Sequence, residues 1–248
     1  YQTKRAYLLK GEKLPPGEFG VMHGYMKIPE LKKVCHAYGV SINEYLVAVY
    51  VWSVYTECMH GMPSERPVRV AVPVNLRPYF NSITTKNFFV MVSAEFHPTK
   101  EIYTFEEVLK SVSESLRSQI SRENLEKLFS YNVSNEKLLA ARIVPLFLKN
   151  LAMRYVYTTS ALANTATVTN IGNISVSEEY RPYVEMFHAF LAMSKGQHLK
   201  GTICSYGDTL VFSFSYDLTD TSVQRGFFRK IAADGIAVEI ETNGVNYE

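Results

Sequence analysis

The stretch FSFSYDLTDTSVQRGFFRKI, residues 212–231, joins a predicted strand to a predicted helix through a short acidic turn. Side chains alternate between the two faces of a strand, so the polar Ser213 and Ser215 share one face while the aromatic residues, ending at Tyr216, share the other. The small polar face either lines a passage for a substrate or accepts a close-packed helix, and the pattern is compatible with both. Asp220 ends the turn, where its carboxylate can cap the N–H groups of the following helix.

Two capping boxes predict where other helices begin. Ser41 with Glu44 opens an almost wholly apolar helix, which is typical of a buried element. Thr104 with Glu107 opens an amphipathic helix that should end near residue 121. Both helices should therefore pack against a sheet.

The remaining elements follow from apolar runs and turn signals. Further helices are predicted at 29–39, at 121–132 as a continuation of the preceding helix after a break, from a cap at Ser134 to about 153 with an interruption at Pro145, and at 221–234. Strands are predicted at 5–9, 21–28, 67–74, 87–96, 165–172, 183–192, 200–217 with a hairpin turn at 206–208, and 236–241. This order predicts an α+β fold, a two-layer sandwich in which a mixed β-sheet is flanked by helices.

Composition excludes several classes of function. The chain has 248 residues and a net charge of only +2, which does not favour nucleic acid as a partner. No apolar run reaches the roughly 18–20 residues needed for a membrane span. Three widely spaced cysteines (Cys35, Cys58 and Cys204) favour neither a disulfide framework nor a metal site, so we expect a protein of the reducing cytoplasm.

No histidine has the sequence neighbours of a catalytic base. Of the six, only His97 is followed four residues later by an acid, Glu101, and a proline interrupts that segment. Cys35 and His36 are adjacent on a predicted helix, where neighbouring side chains point apart. We therefore predict no catalytic residue in this chain.

Polar residues at strand ends are the candidate binding residues. Asn75 and Arg77 follow a predicted strand, where a guanidinium can bind a phosphate or carboxylate, or can instead bind loop carbonyls. Asn87 precedes the next strand, and Thr169 and Asn170 end another. For these three residues ordinary turn chemistry is the alternative.

The order of five segments resembles a known family. They are SINEYLVAVY (41–50), VAVPVNLRPYF (70–80), TKNFFVMVSAEF (85–96), TVTNIGNIS (167–175) and LVFSFSYDLTD (210–220). Together they resemble the C-terminal lobe of the CoA-dependent acyltransferase superfamily, which includes chloramphenicol acetyltransferase, the condensation domains of nonribosomal peptide synthetases, wax ester synthases and alcohol O-acetyltransferases. The resemblance runs from about residue 20 onward and is most specific at VPVNLRP…NFF and TNIG.

This resemblance implies a two-lobe enzyme whose lobes enclose a tunnel. The family's base lies in a His-His-x-x-x-Asp-Gly motif of the N-terminal lobe, which this chain lacks. Residues 1–20 are then a connector from an N-terminal lobe, and 21–248 are the C-terminal lobe. The co-substrate implied is acyl-CoA or a phosphopantetheine thioester, with no bound cofactor, and the acceptor is an alcohol or an amine.

The resemblance also assigns roles to individual residues. Those implied to lie near the tunnel are Asn75, Arg77, Asn87, Thr169, Asn170, Ser213 and Ser215. Tyr216 and Asp220 are the silent counterpart of the catalytic motif, with tyrosine in place of the histidine. The N-terminal lobe is the implied partner, and an isolated C-terminal lobe is expected to self-associate through its uncovered surface.

Two alternatives remain open. The chain is a non-catalytic lobe that docks a carrier protein or a partner subunit, in which case the upstream lobe also lacks the histidine motif. Otherwise it is a single-lobe trimeric acetyltransferase with His198 as an unusual base, although no aspartate near His198 in the sequence is available to orient it.

Overall fold

The computed structural model describes residues 5–137 and 145–245, with side chains for all of these except 131–137. The elements in chain order are β1 (Gly20–Lys27), α1 (Ile28–Tyr38), α2 (Ile42–Ser53) with a π-helical turn (Val54–Cys58), β2 (Val68–Asn75), α3 (Arg77–Phe80), β3 (Phe89–Phe96), α4 (Phe105–Gln119), α5 (Arg122–Lys137), α6 (Leu146–Ala161), β4 (Ala166–Asn173), a 3₁₀ turn (Arg181–Tyr183), β5 (Leu199–Tyr206), β6 (Thr209–Tyr216), α7 (Ser222–Ala233) and β7 (Glu239–Thr242).

The described strands form one mixed sheet in the order β3-β2-β4-β5-β6-β1-β7. β4 runs parallel to both β2 and β5, and the other neighbours are antiparallel. Helices α2 and α7 contact each other and pack on one face of this sheet. The prediction of an α+β fold with a mixed sheet flanked by helices is confirmed.

The aromatic face of β6 forms the centre of the core. Phe214 is fully buried, and its ring contacts Tyr50 of α2 and both Phe227 and Phe228 of α7 at centroid distances of 5.8, 5.0 and 5.6 Å. Phe212 joins the same cluster at 4.8 Å from Phe214. The aromatic residues that the alternation in 212–216 assigns to one face therefore lie together on the helix side of β6.

Two glycines of β1 let aromatic rings approach the strand backbone. A Cβ atom at Gly20 would lie 2.1 Å from the ring of Tyr216, and one at Gly24 would lie 2.1 Å from the ring of Phe228. Real side-chain atoms do not approach so closely, so both rings occupy space that a side chain on β1 would fill. The rings consequently pack directly against the backbone of β1.

Helix α4 covers part of the β3 edge of the sheet. Ser115 donates to the Ser93 carbonyl and accepts from the Glu95 N–H, at 3.0 and 3.2 Å. Gln119 both accepts from the Ser93 N–H and donates to its carbonyl, and Ser111 donates to the Glu95 carbonyl. Side chains one helical turn apart thus satisfy backbone groups that an edge strand otherwise leaves unpaired.

The capping box at the start of α2 carries an added ion pair. Ser41 accepts from the Glu44 N–H while the Glu44 carboxylate accepts from the Ser41 N–H and from Arg117 of α4. Burial alone would raise the pKa of Glu44, but the hydrogen bonds from Arg117 and Ser41 hold its pKa below the ordinary value of 4.5.

This arrangement predicts a pH-dependent contribution to stability. A carboxyl group with a depressed folded-state pKa stabilises the fold above its unfolded pKa and loses that contribution as the pH falls through the folded value. Glu44→Gln should therefore cost about 1 kcal/mol at pH 7 and progressively less below pH 4.5. Urea unfolding of both proteins at pH 7 and below pH 4.5 tests this. A free-energy cost of Glu44→Gln that stays constant with pH would contradict it.

Three predicted elements are wrong. Residues 5–9 form no strand; a single bridge joins Lys13 to Leu218 instead. Residues 183–192 form no strand; apart from the end of the 3₁₀ turn they are irregular. Their carbonyl groups accept hydrogen bonds from side chains of the sheet, not from the backbone of a neighbouring strand. Ser134 lies inside α5, so it does not begin a helix.

The next helix, α6, begins just after Pro145 and runs to Ala161. Proline suits a helix start because its missing N–H has no intrahelical partner there. The part of the predicted 134–153 helix at 138–144 lies outside the described residues.

The other predicted elements are confirmed within a few residues. The hairpin turn lies at Gly207 and Asp208, and Gly207 has a φ of +60°. Within the described ranges, no helix combines the length and apolar character required to cross a membrane.

Candidate functional site

The sheet has one face packed with helices and a second face, here called the open face, which divides into two halves. Over β1, β5 and β6 the open face is crossed by residues 184–192, here called the strap. Over β2, β3 and β4 no such segment crosses the open face within the described ranges. Phe89 and Met91 remain 48% and 45% exposed, although Arg69 and Ala71 at the start of β2 are buried. Ile171, at the end of β4, is 54% exposed. The uncovered half is therefore a partly apolar surface on a sheet interior.

The strap is held to the sheet by side chains that donate to its carbonyls. Ser215 donates to Leu191 at 2.6 Å, Lys200 to Ala192 at 2.8 Å and Cys204 to Phe187 at 3.1 Å. Burial lowers the pKa of the Lys200 ammonium. The polar side chains of β5 and β6 thus serve, in this conformation, to fasten a loop.

A row of polar residues crosses the open face in register. The row consists of Glu241, His23, Ser213, Thr202 and Thr169, each opposite the next on the neighbouring strand. The row begins at the edge strand β7, passes beneath the strap and ends at the uncovered half. Such a row is unusual in a sheet interior, where apolar residues prevail.

His23 lies at the centre of a hydrogen-bonded cluster. Its Nδ1 is 2.7 Å from Ser213 Oγ, and its ring centroid is 4.5 Å from that of His188 in the strap, with the two rings tilted by 42°. Burial and the neighbouring His188 lower the pKa of His23. Tyr25 bridges His188 to Glu241, and burial together with the hydrogen bond to Glu241 raises the pKa of Tyr25.

His23 and Ser213 are in hydrogen-bond contact, as a general base and a nucleophile would be, but the serine hydroxyl is not accessible to a substrate. Ser213 is 1% exposed and lies beneath the strap. A nucleophile must reach a substrate carbonyl, which this hydroxyl does not do here. The neighbouring Thr202 is 2% exposed, and its hydroxyl has no hydrogen-bond partner among the described residues.

Three predicted site residues lie together at the end of β2 and the start of β3. Asn75 accepts from the Arg77 N–H at 3.0 Å. Arg77 donates through Nε to the Thr84 carbonyl and through Nη2 to the Lys86 carbonyl, at 2.8 and 2.6 Å. The guanidinium thus fastens loop 81–87, which is the structural alternative raised by the sequence.

Asn87, at the end of this loop, is exposed. Its amide is therefore accessible next to the uncovered half of the open face.

Thr169 and Asn170 point to opposite faces of β4. Thr169 shares the open face with Thr202. Asn170 lies on the helix side, where its amide is 3.5 Å from Asn43 at the start of α2, and it accepts from the Gly172 N–H across a bulge. Of the two, only Thr169 faces the surface on which a substrate could lie.

The side chains of the turn after β6 stabilise the fold and are not arranged for catalysis. Tyr216 is 2% exposed on the helix face, and Asp220 accepts from both the N–H and the hydroxyl of Ser222 at the start of α7. Asp220 thus satisfies an N–H group of the first helical turn.

Asp220→Ala should lower the free energy of unfolding by about 1 kcal/mol, as expected for a lost cap. Any catalytic activity of a longer protein that contains this chain should be unchanged. Asp220→Asn keeps an acceptor and serves as the control for unfolding experiments. Loss of turnover in a well-folded Asp220→Ala variant would contradict a purely structural role.

The fold supplies His198 with the acidic partner that its sequence neighbours lack. Its Nδ1 is 2.8 Å from Asp217 at the end of β6. The cavity beside His198 holds only about 20 Å³, about the space of one water molecule. This pair therefore has an oriented imidazole but no room for an acyl thioester.

Sequence reasoning missed both histidine clusters. Alternation along β1 could have placed His23 and Tyr25 on one face, but their partners lie 163–218 positions away. Among the described residues, no group of three histidine, cysteine or acidic side chains is arranged to hold a metal ion.

Neither models of known protein families nor curated proteins match this sequence. Solved structures do match. A nonribosomal peptide synthetase, FmoA3, aligns over 93% of this chain with 16% identity and a TM-score of 0.59. The wax ester synthase/diacylglycerol acyltransferase from Marinobacter aquaeolei VT8 aligns over 93% with 14% identity and a TM-score of 0.53. The TRI3 trichothecene 15-O-acetyltransferase from Fusarium sporotrichioides aligns over 91% with 14% identity and a TM-score of 0.57.

These likenesses establish the fold: the chain has the CoA-dependent acyltransferase fold that its ordered segments predict. The chain spans 22%, 52% and 48% of the length of these three proteins. The chain therefore matches only a part of each of these proteins.

Proposed function

We propose that this chain is the C-terminal lobe of a two-lobe acyltransferase. The parent protein transfers an acyl group from CoA, or from a carrier-bound phosphopantetheine thioester, to an alcohol or amine. The uncovered half of the open face supplies one wall of the tunnel, and the histidine base lies in an N-terminal lobe.

The observation that carries this proposal is the unequal cover of the sheet. Helices bury one face, whereas the half of the open face with Phe89, Met91 and Thr169 is left partly apolar and exposed. Apolar surface on a sheet interior is normally buried against another layer. A second lobe would provide that layer, and the extent of the chain relative to its structural neighbours supports this arrangement.

In the parent protein each lobe has its own task. The histidine of the N-terminal lobe takes the proton of the acceptor hydroxyl or amine, which attacks the thioester carbonyl, and hydrogen-bond donors stabilise the oxyanion before the thiol departs. The lobe described here orients the substrates along the tunnel. Thr169 and Asn87 are the predicted residues best placed for contact with them.

Acetyl-CoA turnover by the full-length protein and by this chain alone tests the proposal. The full-length protein should release CoA in the presence of an alcohol acceptor, and this chain alone should not. Equal activity in the two would overturn the assignment of the base to an upstream lobe. An inactive full-length protein that binds a carrier protein would favour the alternative of a docking lobe.

Helix α6 favours an interaction between this lobe and another surface. Among its residues, Phe147, Leu151 and Tyr155 are 68–72% exposed, although all three are large and apolar or aromatic. Exposed apolar patches of this kind mark contact sites.

The isolated chain should therefore self-associate. Its sedimentation coefficient should rise with concentration, and Leu151→Glu should reduce that rise. Ile83→Glu, at a residue 99% exposed away from α6, is the matched control. A monomeric profile for the unsubstituted chain at high concentration would count against the prediction.

A further inference from the structure

A groove lies on the helix side of the sheet, between α7 and β7. Its apolar lining consists of Met22, Tyr216, Phe228, Ala232, Val238 and Ile240. Its volume is about 510 Å³, within the range of about 300–1,000 Å³ that small-molecule sites occupy. The groove is separate from the open face, because the sheet itself lies between the two.

The floor of the groove is fixed by the two glycines of β1. Since Gly20 and Gly24 carry no side chains, the rings of Tyr216 and Phe228 settle against the strand and are only 2% and 4% exposed. Ile240, by contrast, is 49% exposed on the β7 side. The result is a rigid apolar floor with an accessible apolar wall.

Two arginines stand on the rim of this groove. Arg225 and Arg229 are four residues apart on α7, so their side chains lie on the same side of the helix. Both are exposed, and neither pairs with a carboxylate of the described residues. Lys230 on the same helix is different, because its ammonium is paired with Asp234.

Two unpaired like charges at this spacing repel each other and favour an anion between them. Guanidinium groups bind carboxylates through paired N–H donors, which single ammonium groups do not provide. The combination of an apolar groove with a forked cationic rim matches an amphiphilic anion.

We propose that the groove between α7 and β7 binds a single-chain aliphatic carboxylate, with the chain on the Met22–Phe228 floor and the carboxylate on Arg225 and Arg229. A cation would be repelled at the rim, and an uncharged chain would leave both guanidinium groups unpaired. The site does not depend on the assignment of the open face to a tunnel.

Calorimetric titration of the chain with dodecanoate, below its micelle concentration, tests the proposal. Saturable binding with one equivalent is expected. Arg225→Gln with Arg229→Gln should weaken binding at least tenfold. Arg66→Gln with Lys32→Gln removes the same net charge at exposed positions elsewhere and should leave the affinity unchanged.

The head group and the chain are tested separately. Dodecyltrimethylammonium, with the same chain and opposite charge, should not compete with dodecanoate. Ala232→Trp, which fills the groove from an exposed position on α7, should abolish binding without unfolding the chain. A photoreactive alkyl carboxylate should label peptides that contain Met22, Phe228 or Ile240.

Several outcomes would overturn the proposal. They are equal affinity in the Arg225→Gln/Arg229→Gln variant, competition by the ammonium compound, or labelling confined to α6. Tighter binding of dodecyl phosphate than of dodecanoate would replace the carboxylate by a phosphate-headed ligand. Saturable binding of an acidic carrier protein, but not of dodecanoate, would replace the small ligand by a macromolecule.

Discussion

Phe214→Ala should lower the free energy of unfolding by about 4 kcal/mol, within the range for truncation of a fully buried phenylalanine. The ring is 0% exposed and contacts aromatic side chains of α2, β6 and α7. Its removal leaves a cavity among aromatic rings, of which Phe228 is already packed against the backbone of β1 at Gly24. Urea unfolding of the chain measures the loss as a lower midpoint.

Two control variants test whether the loss of stability comes from the buried packing of the ring and not from the loss of a phenylalanine as such. Phe214→Leu keeps most of the volume and should cost at most about 1.5 kcal/mol. Phe89→Ala removes the same side chain from a site that is 48% exposed and should change stability by less than about 1 kcal/mol. A loss of under 1 kcal/mol for Phe214→Ala would show that β6 does not centre the core.

Thr169→Trp should reduce acyl transfer by the full-length protein about 100-fold, since small displacements of a bound substrate have effects of that size. Thr169 lies on β4, at the border between the uncovered half of the open face and the half beneath the strap. An indole there would occupy the space in which the proposal places the acyl thioester. The reduction should appear in kcat/KM, with the unfolding midpoint unchanged.

Two control variants accompany this experiment. Thr169→Ser keeps a hydroxyl of similar size and should retain activity, and Ser177→Trp adds an indole at an exposed turn outside the open face. Normal kinetics in Thr169→Trp would remove the uncovered half from the tunnel. The fold would still stand, because it rests on independent evidence.

Local chemistry made much of the fold predictable. The capping boxes at Ser41 and Thr104 predict helix starts because they satisfy specific N–H groups, and both are present. The alternation in 212–216 predicts which residues share a face of β6, but both faces are buried, one by helices and the other by the strap. Such signals act over a few residues and do not depend on the rest of the chain.

The strap and the histidine clusters depend on distant contacts. Residues 183–192 have the apolar character of a strand, yet their partners are the side chains of Ser215, Lys200 and Cys204. His23 meets Ser213 across 190 positions. These pairings depend on the register of the sheet, which cannot be read from local sequence patterns.

The candidate site was predictable only in part. The strand-end positions of Asn75 and Arg77 are evident from the sequence, but the choice between ligand and loop for the guanidinium depends on where loop 81–87 folds. Ser213 and Ser215 share a face as predicted, but the strap covers them. Their burial could not be inferred from alternation.

The serines and glutamine of α4 make the hydrogen bonds to β3 that a neighbouring strand would otherwise make. By occupying the outward N–H and carbonyl groups of Ser93 and Glu95, they leave the segment around Phe89 and Met91 as the part of the β3 edge that the described residues do not cap. On the β3 side of the sheet, addition of a further strand from another polypeptide is thus restricted to one short stretch, whereas β7 forms the edge on the other side. Edge-to-edge pairing with another copy of the chain is therefore blocked along the remainder of β3.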